Sequence, residues 1–417
     1  MALNGEEKRA CDDLAGRGEE LLRDLGEHVS IPTGRGYVPG LRDYRNVLSS
    51  RLRKMGATIE VLEGDAQPEW LDVTGPDGVG KSTKLLEAED GDENAVVLKA
   101  ARCVDDDRPM VMLCGHIDTV HDPEGEFREL KLEDGGAIAR GPGAADMKGG
   151  TLIAIAALEA LHRADVELNW TFALNSDEET GSFRSARVLR EIAQTCDVGL
   201  VMEPALPGGA LAVERMGSGQ FKIEAFGQSA HVGREFEKGV SAVTALANAI
   251  LKSAAIADVQ EGRIVSIGPV VGAAVTNAVP DHAAAWGNAR FRDPEAGAAI
   301  ASTLDELMTA EHAMPRVVVH KQWHRPAKPM TEAVERLALG ARQAAEDLGQ
   351  TLPFAKTGGV CDGNVMQSAG LAVIDTLGVR GGNLHRTDEF VEVASLVERA
   401  QLLAVLLLRL NAGDRAG

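Results

Sequence analysis

The chain has 417 residues, of which 44% are hydrophobic and 25% charged, values typical of a soluble globular protein that is long enough for two domains. Its formal net charge of -20 argues against nucleic acid as a partner, because phosphate binding needs a basic surface. No apolar run reaches the length of a membrane span, the five cysteines are scattered, and the N-terminus lacks the apolar segment of a signal peptide. We therefore expect a soluble cytoplasmic protein with no membrane partner.

Strands and helices alternate in the first half of the chain. Apolar spacing predicts helices over 19–29 and 41–55, followed by a strand over 57–63. Further strands are predicted over 95–101, 109–117, 168–175 and 198–204, with helices over 151–163 and 182–194. This alternation predicts an α/β fold with a doubly wound, largely parallel sheet.

The pattern changes after Pro204. Strands are predicted over 220–227, 263–268, 283–291 and 316–323, with helices over 240–257 and 295–311. From Thr331 the first pattern returns, with a helix over 331–348, a loop over 356–364, a strand over 371–378 and a last helix. We predict a discontinuous catalytic domain (1–212 and 325–417) that is interrupted by a smaller α+β domain (213–324).

The segment from Asp65 to Asn94 is rich in glycine, proline and acidic residues, and it contains a phosphate-binding pattern. GPDGVGKS, at Gly75 to Ser82, matches G-x-x-x-x-G-K-S/T. A working phosphate-binding loop needs a strand before it and a substantial helix after it, and only TKLLEAED follows. A P-loop nucleotide-binding protein is therefore the remote alternative, and a chance match in a loop is favoured.

Residues that can bind metals follow the predicted strands. Each of the following stands where an apolar run gives way to polar residues, glycine or proline: His116, Asp118, Asp146, Glu178, Glu179 and Glu203. The carboxyl ends of strands form the ligand crevice of an open α/β sheet, so these side chains are expected to converge. Histidine, aspartate and glutamate hold zinc in hydrolases, and one aspartate can bridge two metals. The sequence predicts a metal centre.

Several longer motifs carry a family resemblance. They occur between Pro109 and Phe390, in this order: GHIDTV, GPGAADMKGG, NSDEETGS, VMEP, GQSAHVG and GGNLHRTDEF. Together they resemble the two-zinc aminoacylase and carboxypeptidase family, which contains glutamate carboxypeptidases, acetylornithine deacetylase and succinyl-diaminopimelate desuccinylase. The glutamate carboxypeptidase branch is the most similar, because GPGAAD, the DEE-GS pattern and WHRPA have counterparts there.

The resemblance implies a role for each residue of the metal centre. It implies that Asp146 bridges two zinc ions, with cobalt or manganese as alternative metals. His116 and Glu203 would complete one zinc site, and Glu179 and His385 the other. Asp118 would fix the tautomer of His116, and Glu178 would be the general base of metal-assisted amide hydrolysis.

The resemblance also implies a homodimer and a substrate with a carboxylate. His231 matches a histidine that reaches the active site of the partner subunit and stabilises the oxyanion there. The positions that match substrate contacts are Asn277, Arg290 and Arg325, and an arginine fork suits a free carboxylate. The expected substrate is a small acidic amino-acid conjugate or peptide.

The leading hypothesis is a zinc-dependent hydrolase that cleaves an amide bond to release an amino acid, with C-terminal glutamate as one candidate. The alternative within this class is an N-acyl amino acid deacylase of the acetylornithine deacetylase or desuccinylase type. A catalytically inactive relative is disfavoured, because Glu178 is intact. Two departures bear on folate as a substrate. Ala212 stands where the folate-cleaving relatives carry lysine, although Arg215 is close, and Cys361 replaces a smaller residue.

Overall fold

A computed structural model describes residues 2–34, 36–72 and 95–413 of the chain. Its helices are α1 (Gly5–Ala15), α2 (Gly18–Ser30), α3 (Val38–Arg53), α4 (Gly150–Arg163), α5 (Ala186–Ala193), α6 (Ala242–Ala254), α7 (Pro294–Asp305), α8 (Glu332–Asp347), α9 (Asp362–Ser368) and α10 (Ala394–Asn411). The GPDGVGKS segment lies outside the described residues.

The strands of the first half are β1 (Thr58–Glu63), β2 (Ala95–Arg102), β3 (Met110–His116), β4 (Lys131–Glu133), β5 (Ile138–Arg140), β6 (Asn169–Asn175), β7 (Val198–Val201) and β8 (Leu211–Arg215). Those that follow are β9 (Gly217–Phe226), β10 (Ala230–His231), β11 (Arg263–Gly272), β12 (Ala278–Val279), β13 (His282–Phe291), β14 (Arg316–Arg325), β15 (Phe354–Thr357), β16 (Ala372–Ile374), β17 (Gly381–Gly382) and β18 (Phe390–Glu392).

The largest sheet has the strand order β1-β2-β6-β3-β7-β16. Strands β6, β3, β7 and β16 run parallel, whereas β2 is antiparallel to both β1 and β6. The sheet is therefore mixed, with a parallel half and an antiparallel edge. The parallel half fits the prediction, and it is the part that holds the candidate site.

Both faces of this sheet are covered by helices, as expected for a doubly wound fold. Along β3 the side chains alternate: Val111 and Leu113 pack in the core with α4 and α10, and Met112 and Cys114 pack in the core with α5 and α9. Because successive side chains of a strand point to opposite faces, a strand covered on both faces is apolar throughout. This explains the continuous apolar run of β3.

A second sheet with its own core lies between β8 and α8 in the sequence. It is fully antiparallel, in the order β11-β13-β9-β14, and α6 and α7 cover one face. The chain returns afterwards to the first sheet, where β16 pairs with β7. This arrangement fits an inserted α+β unit, and the predicted boundaries at 212/213 and 324/325 stay a prediction.

Some elements differ from the sequence prediction. Helix α1 was not predicted, although Asn4 and Glu7 form a capping box at its start. The predicted loop 356–364 ends in α9, because the Cys361 side chain accepts a hydrogen bond from the Gly363 amide and Asn364 bonds back to Cys361. The helix predicted to reach Glu311 ends at Asp305. No helix in the described part of the chain is long and apolar enough to cross a membrane.

Candidate metal centre and active site

Three neighbouring strands bring the predicted ligands to one edge of the large sheet. Strand β3 ends at His116, which pairs in register with Asn175 at the end of β6. Glu178 and Glu179 follow β6, and Glu203 follows β7 on the other side of β3. Because β6, β3 and β7 are parallel, their carboxyl ends open onto the same crevice.

Asp146 lies between the two predicted histidine ligands. It stands in a short irregular helical turn, Ala144–Gly149, immediately before α4. Its Oδ1 is 3.2 Å from His116 Nε2, and its Oδ2 is 3.4 Å from His385 Nε2. Each carboxylate oxygen therefore faces a different imidazole, as a bridging ligand requires.

The other two carboxylates join the same cluster. Glu179 Oε2 lies 3.1 Å from His385 Nε2, and Glu203 Oε1 lies 4.0 Å from His116 Nε2. The groups whose donor atoms all lie within 4.8 Å of one another are His116 with Asp146 and Glu179, and His116 with Glu178 and Glu203. The structure therefore brings all the predicted ligands together, with Glu178 beside them.

The electrostatics of this cluster fit a cation. Burial, followed by the charge of Asp146, raises the pKa of Glu179 to about 8, although His385 opposes the change. Burial also raises the pKa of Glu203 well above its usual range, with Asp146 and Glu178 adding to it. Among the described residues, the buried Glu179 Oε1 has no hydrogen-bond partner. Oxygen and imidazole donors packed this closely are the donor set of a divalent metal.

The two histidines already compensate part of this negative charge. Burial alone would lower the pKa of His116, but its contacts with Asp118 and Asp146 outweigh burial and raise it well above the usual range. Hydrogen bonds to Asp146 and Glu179 raise the pKa of His385 to about 10. Burial alone would raise the pKa of the Asp146 carboxyl, but its hydrogen bonds to both histidines outweigh burial and lower it. The cluster therefore favours positive charge at both imidazole positions.

Asp118 orients His116 and the turn that follows β6. The Nδ1 of His116 is 2.9 Å from the Asp118 carbonyl oxygen and 3.4 Å from its Oδ1. With Nδ1 protonated toward Asp118, Nε2 is left free to face Asp146. The Asp118 carboxylate also accepts the amides of Glu178, at 3.2 Å, and Glu179, at 3.0 Å. One residue thus orients a ligand through its carbonyl oxygen and carboxylate, and holds the turn that carries the predicted base.

Arg325 lies directly against Glu178. Its Nη2 is 2.7 Å from Glu178 Oε1, and it also donates to the Glu178 carbonyl oxygen at 2.9 Å and to Ser182 Oγ at 2.7 Å. Arg325 is buried, and Asp362 Oδ1 lies 3.7 Å from the same nitrogen. The guanidinium therefore holds the predicted base, and its predicted contact with substrate stays a prediction.

The other predicted substrate residues lie at different places. The half-buried Arg290 donates from Nε to Asn288 Oδ1 at 3.1 Å, and among the described residues its buried Nη1 has no hydrogen-bond partner. His231 and Asn277 are exposed and adjacent, since Asn277 accepts a hydrogen bond from the amide of Val232. Within the described residues, neither forms a hydrogen bond or an ion pair with a predicted metal ligand of the same chain. Their predicted roles in the active site of a partner subunit stay predictions.

Sequence reasoning missed a buried network beneath the base. Asp362 accepts hydrogen bonds from Ser182 Oγ and from Asn175 Nδ2, and burial raises its pKa to about 7. Its position beside the predicted active-site loop was the available signal. Arg215, considered as a replacement for the missing lysine, is instead buried and bonded to Asp375 at 2.7 Å.

Comparison with known proteins agrees with this geometry. Residues 112–409 match the family model described as Peptidase family M20/M25/M40. Carboxypeptidase G2 from Pseudomonas sp. (strain RS-16) is 27% identical over 401 residues, covering 94% of this chain and 90% of the relative. Succinyl-diaminopimelate desuccinylase 2 from Shewanella loihica is 29% identical over 338 residues, covering 73% of this chain and 86% of the relative.

The fold is also found in solved structures. The aminopeptidase PepT structure from Bacillus cereus superposes with a TM-score of 0.70 at 22% identity, covering 94% of this chain and 98% of the other. This match, together with the family model, confirms the predicted α/β fold class. The resemblance drawn from the sequence motifs is likewise confirmed.

Proposed function

This chain belongs to peptidase family M20/M25/M40, and we propose that it is a di-zinc hydrolase that releases an amino acid with a free carboxylate from a peptide or N-acyl conjugate. Hydrolysis of an amide bond follows from the family, and zinc, its count and the substrate are the proposal. The observation that carries it is Asp146, whose two oxygens face His116 and His385 at 3.2 and 3.4 Å.

The ligand assignment follows the distances in the cluster. We assign His116 and Glu203 to one zinc and Glu179 and His385 to the other, with Asp146 shared between them. When bound, two zinc ions supply acidification of a water molecule and polarisation of the scissile carbonyl group. Cobalt and manganese are alternatives, because sites made of nitrogen and oxygen donors accept several of these metals.

Glu178 moves the proton in the proposed reaction. Its carboxylate takes a proton from the attacking water and passes it to the departing nitrogen. Arg325, whose Nη2 is 2.7 Å from Glu178 Oε1, keeps the carboxylate in one orientation. Asp118 supports the same geometry from the backbone side, through the amide of Glu178. The base is thus held through its side chain by Arg325 and through its amide by Asp118.

Arg290 is the proposed anchor for the substrate carboxylate. Its buried Nη1 has no partner among the described residues, and a carboxylate can satisfy a guanidinium through two parallel bonds. A deacylase of the desuccinylase type is the second candidate, favoured by the desuccinylase relatives. Both candidates share the metal centre and Glu178, and they differ in which side of the amide carries the recognised group.

The assembly is also a proposal. We assign residues 213–324 to a domain that joins two subunits, so that His231 and Asn277 reach the active site of the partner subunit. Their exposure and their distance in sequence from the metal ligands support this assignment. A cytoplasmic location is proposed as well, supported by five cysteines that are all free.

The test combines metal analysis with one variant. The purified chain is expected to hold about two zinc ions, and Glu178→Gln should keep both while kcat falls at least about 10²-fold. The matched control is Glu191→Gln, which changes an exposed carboxylate on α5 and should leave kcat unchanged. A chain that holds no metal and binds ATP tightly would contradict the proposal and favour the nucleotide-binding alternative.

A further inference from the structure

Glu389 is a buried carboxylate that is neither a proposed metal ligand nor the proposed base nor a proposed substrate contact. It stands four residues after His385 in GGNLHRTDEF, immediately before β18, and is 1% exposed. Its side chain accepts four hydrogen bonds. Oε1 accepts the amides of Ala145 at 2.8 Å and Asp146 at 3.0 Å, and Oε2 accepts His121 Nε2 at 2.7 Å and the amide of Gly143 at 3.3 Å.

Three of these donors belong to the loop that carries Asp146. The backbone there is not regular helix, because Asp146 and Met147 have non-helical dihedral angles inside the turn. The buried amides of the loop therefore need partners outside it, or each one costs the free energy of an unmade hydrogen bond. Glu389 supplies those partners, and a charged acceptor makes the bonds stronger than a neutral one.

The same residue is fixed to the segment that carries His385. The amide of Glu389 donates to the Arg386 carbonyl oxygen at 3.1 Å, and the Arg386 amide donates to Asn383 at 3.2 Å. The Glu389 carbonyl oxygen in turn accepts the amide of Gly141 at 3.2 Å, at the start of the Asp146 loop. Two chain segments that bear ligands are thus joined through one residue.

A third ligand segment reaches Glu389 through His121. This histidine follows His116 and Asp118 in GHIDTVHD, and its ring packs edge-on against Phe127 at 5.2 Å between centroids. Its bond to Glu389 Oε2 spans 268 residues of sequence. The segments after β3, before α4 and before β18 therefore meet at one carboxylate.

We propose that Glu389 is the positioning residue of the metal centre, which sets the backbone of the Asp146 loop relative to His385 and so fixes the spacing of both metal sites. The inference rests on the proposed di-zinc function. Glu389 is not among the residues assigned to hold the metals. It acts through the amide of Asp146 and through the His385 turn, and His121 holds its second oxygen.

The experiment measures zinc affinity by competition with a chelator. Glu389→Gln keeps the shape of the side chain but removes the charge, and zinc affinity should fall about 10–100-fold, the usual effect of losing a partner outside the ligand shell. The matched control is Glu392→Gln, three residues further on, whose carboxylate pairs with Arg380 at the surface and should keep wild-type affinity. Glu389→Asp keeps the charge, but its shorter side chain withdraws the oxygens from the loop amides, so zinc affinity should also fall.

A second measurement separates positioning from general stability. At saturating cobalt, the visible absorption band of folded Glu389→Gln should shift, because the arrangement of ligands around the metal changes. Wild-type zinc affinity and an unchanged cobalt band in Glu389→Gln, or in Glu389→Asp if the first variant does not fold, would overturn the inference. A wild-type chain that binds no zinc would instead overturn the proposed function, so the two failures are distinguishable.

Discussion

Asp146 shows how a single residue can organise a site at the level of side-chain chemistry. It shares its two oxygens between two histidines, so removal of the carboxylate takes one partner from each of them. Burial alone would raise the pKa of this carboxyl, yet its partners lower it. Asp146 therefore stays ionised, as a carboxylate must be to bind a metal.

Replacing Asp146 should remove metal rather than only slow the reaction. Asp146→Ala is expected to lose both zinc ions in dialysis that leaves the wild type loaded, because both ions share this ligand. Metal content by atomic spectroscopy checks it, with Asp43→Ala on the surface of α3 as the control. Two zinc ions retained by Asp146→Ala would disprove the bridging role.

Arg290 tests recognition of the substrate. Arg290→Gln should raise KM about 10–100-fold for substrates with a free carboxylate, the value of a lost charge-assisted hydrogen bond of about 1.5–3 kcal/mol. An amidated substrate lacks the partner charge and should show a much smaller change. Arg292→Gln, two positions along and exposed, is the matched control. Equal losses on both substrates would indicate a structural role for Arg290.

His28 makes the stability of the fold depend on pH. It is 2% exposed, bonded to Tyr44 Oη at 3.1 Å, and burial lowers its pKa to about 3. An unfolded histidine binds a proton below about pH 6.5. As the pH is lowered from about 6.5 to 3, the unfolded chain therefore binds a proton that the folded chain does not bind. The free energy of unfolding decreases by up to about 1.4 kcal/mol for each pH unit over this range.

The effect of His28 is measurable in thermal unfolding. For the metal-free protein, the Tm of His28→Asn should decline less steeply than that of the wild type as pH is lowered from about 6.5 to 4. The exposed His162→Asn on α4 should reproduce the wild-type slope. Parallel slopes for His28→Asn and the wild type would show that His28 does not control this pH dependence.

Among the elements, α4 continues the Asp146 loop into the core, where it packs against α10. Helix α4 starts directly after that loop and is buried over most of its length, and α10 packs against it. Its apolar side chains point in all directions because the sheet covers one side and helices cover the others. Stability of this helix pair therefore supports the loop that carries the bridging ligand.

Truncation within this pair should be costly. Leu403→Ala removes a side chain that is 1% exposed in α10, and it should lower the free energy of unfolding by about 2–5 kcal/mol. Leu339→Ala in α8, where the side chain is 47% exposed, should change it by less than about 0.5 kcal/mol. Urea unfolding measures both, and similar effects at the two positions would contradict the burial argument.

At the scale of the whole molecule, the residues predicted to reach a partner subunit lie at a separate two-stranded sheet formed by β10 and β12. His231 and Asn277 stand together on exposed segments, as expected if a partner subunit receives them. Mixing His231→Ala with Glu178→Ala under subunit exchange should restore about a quarter of wild-type activity, because half of the random dimers hold one complete site of two. A mixture of Glu178→Ala with Asp146→Ala is the control, since each subunit then lacks a group of its own site. A fully exchanged first mixture that stays inactive would contradict the composite site.

The sequence by itself determined the main strands and helices of both sheets, the family, and the strand-end residues that gather at the metal centre. These follow from local pattern, because parallel strands bring their carboxyl ends to one edge and polar residues there stand out against apolar runs. Helix α1 could have been read from its capping box, and α9 was hidden because a cysteine in place of the usual oxygen side chain caps it.

Only the tertiary structure decided which of the remaining charged residues serve the site. Arg325 holds Glu178 across 147 residues, Arg215 is bonded to Asp375 across 160, and Glu389 meets His121 across 268. No local spacing encodes such contacts, so the sequence cannot separate a substrate arginine from one that orients the base. Burial gives these pairs their effect, because a charge removed from water must find its partner within the protein, and the fold alone fixes which partner lies within reach.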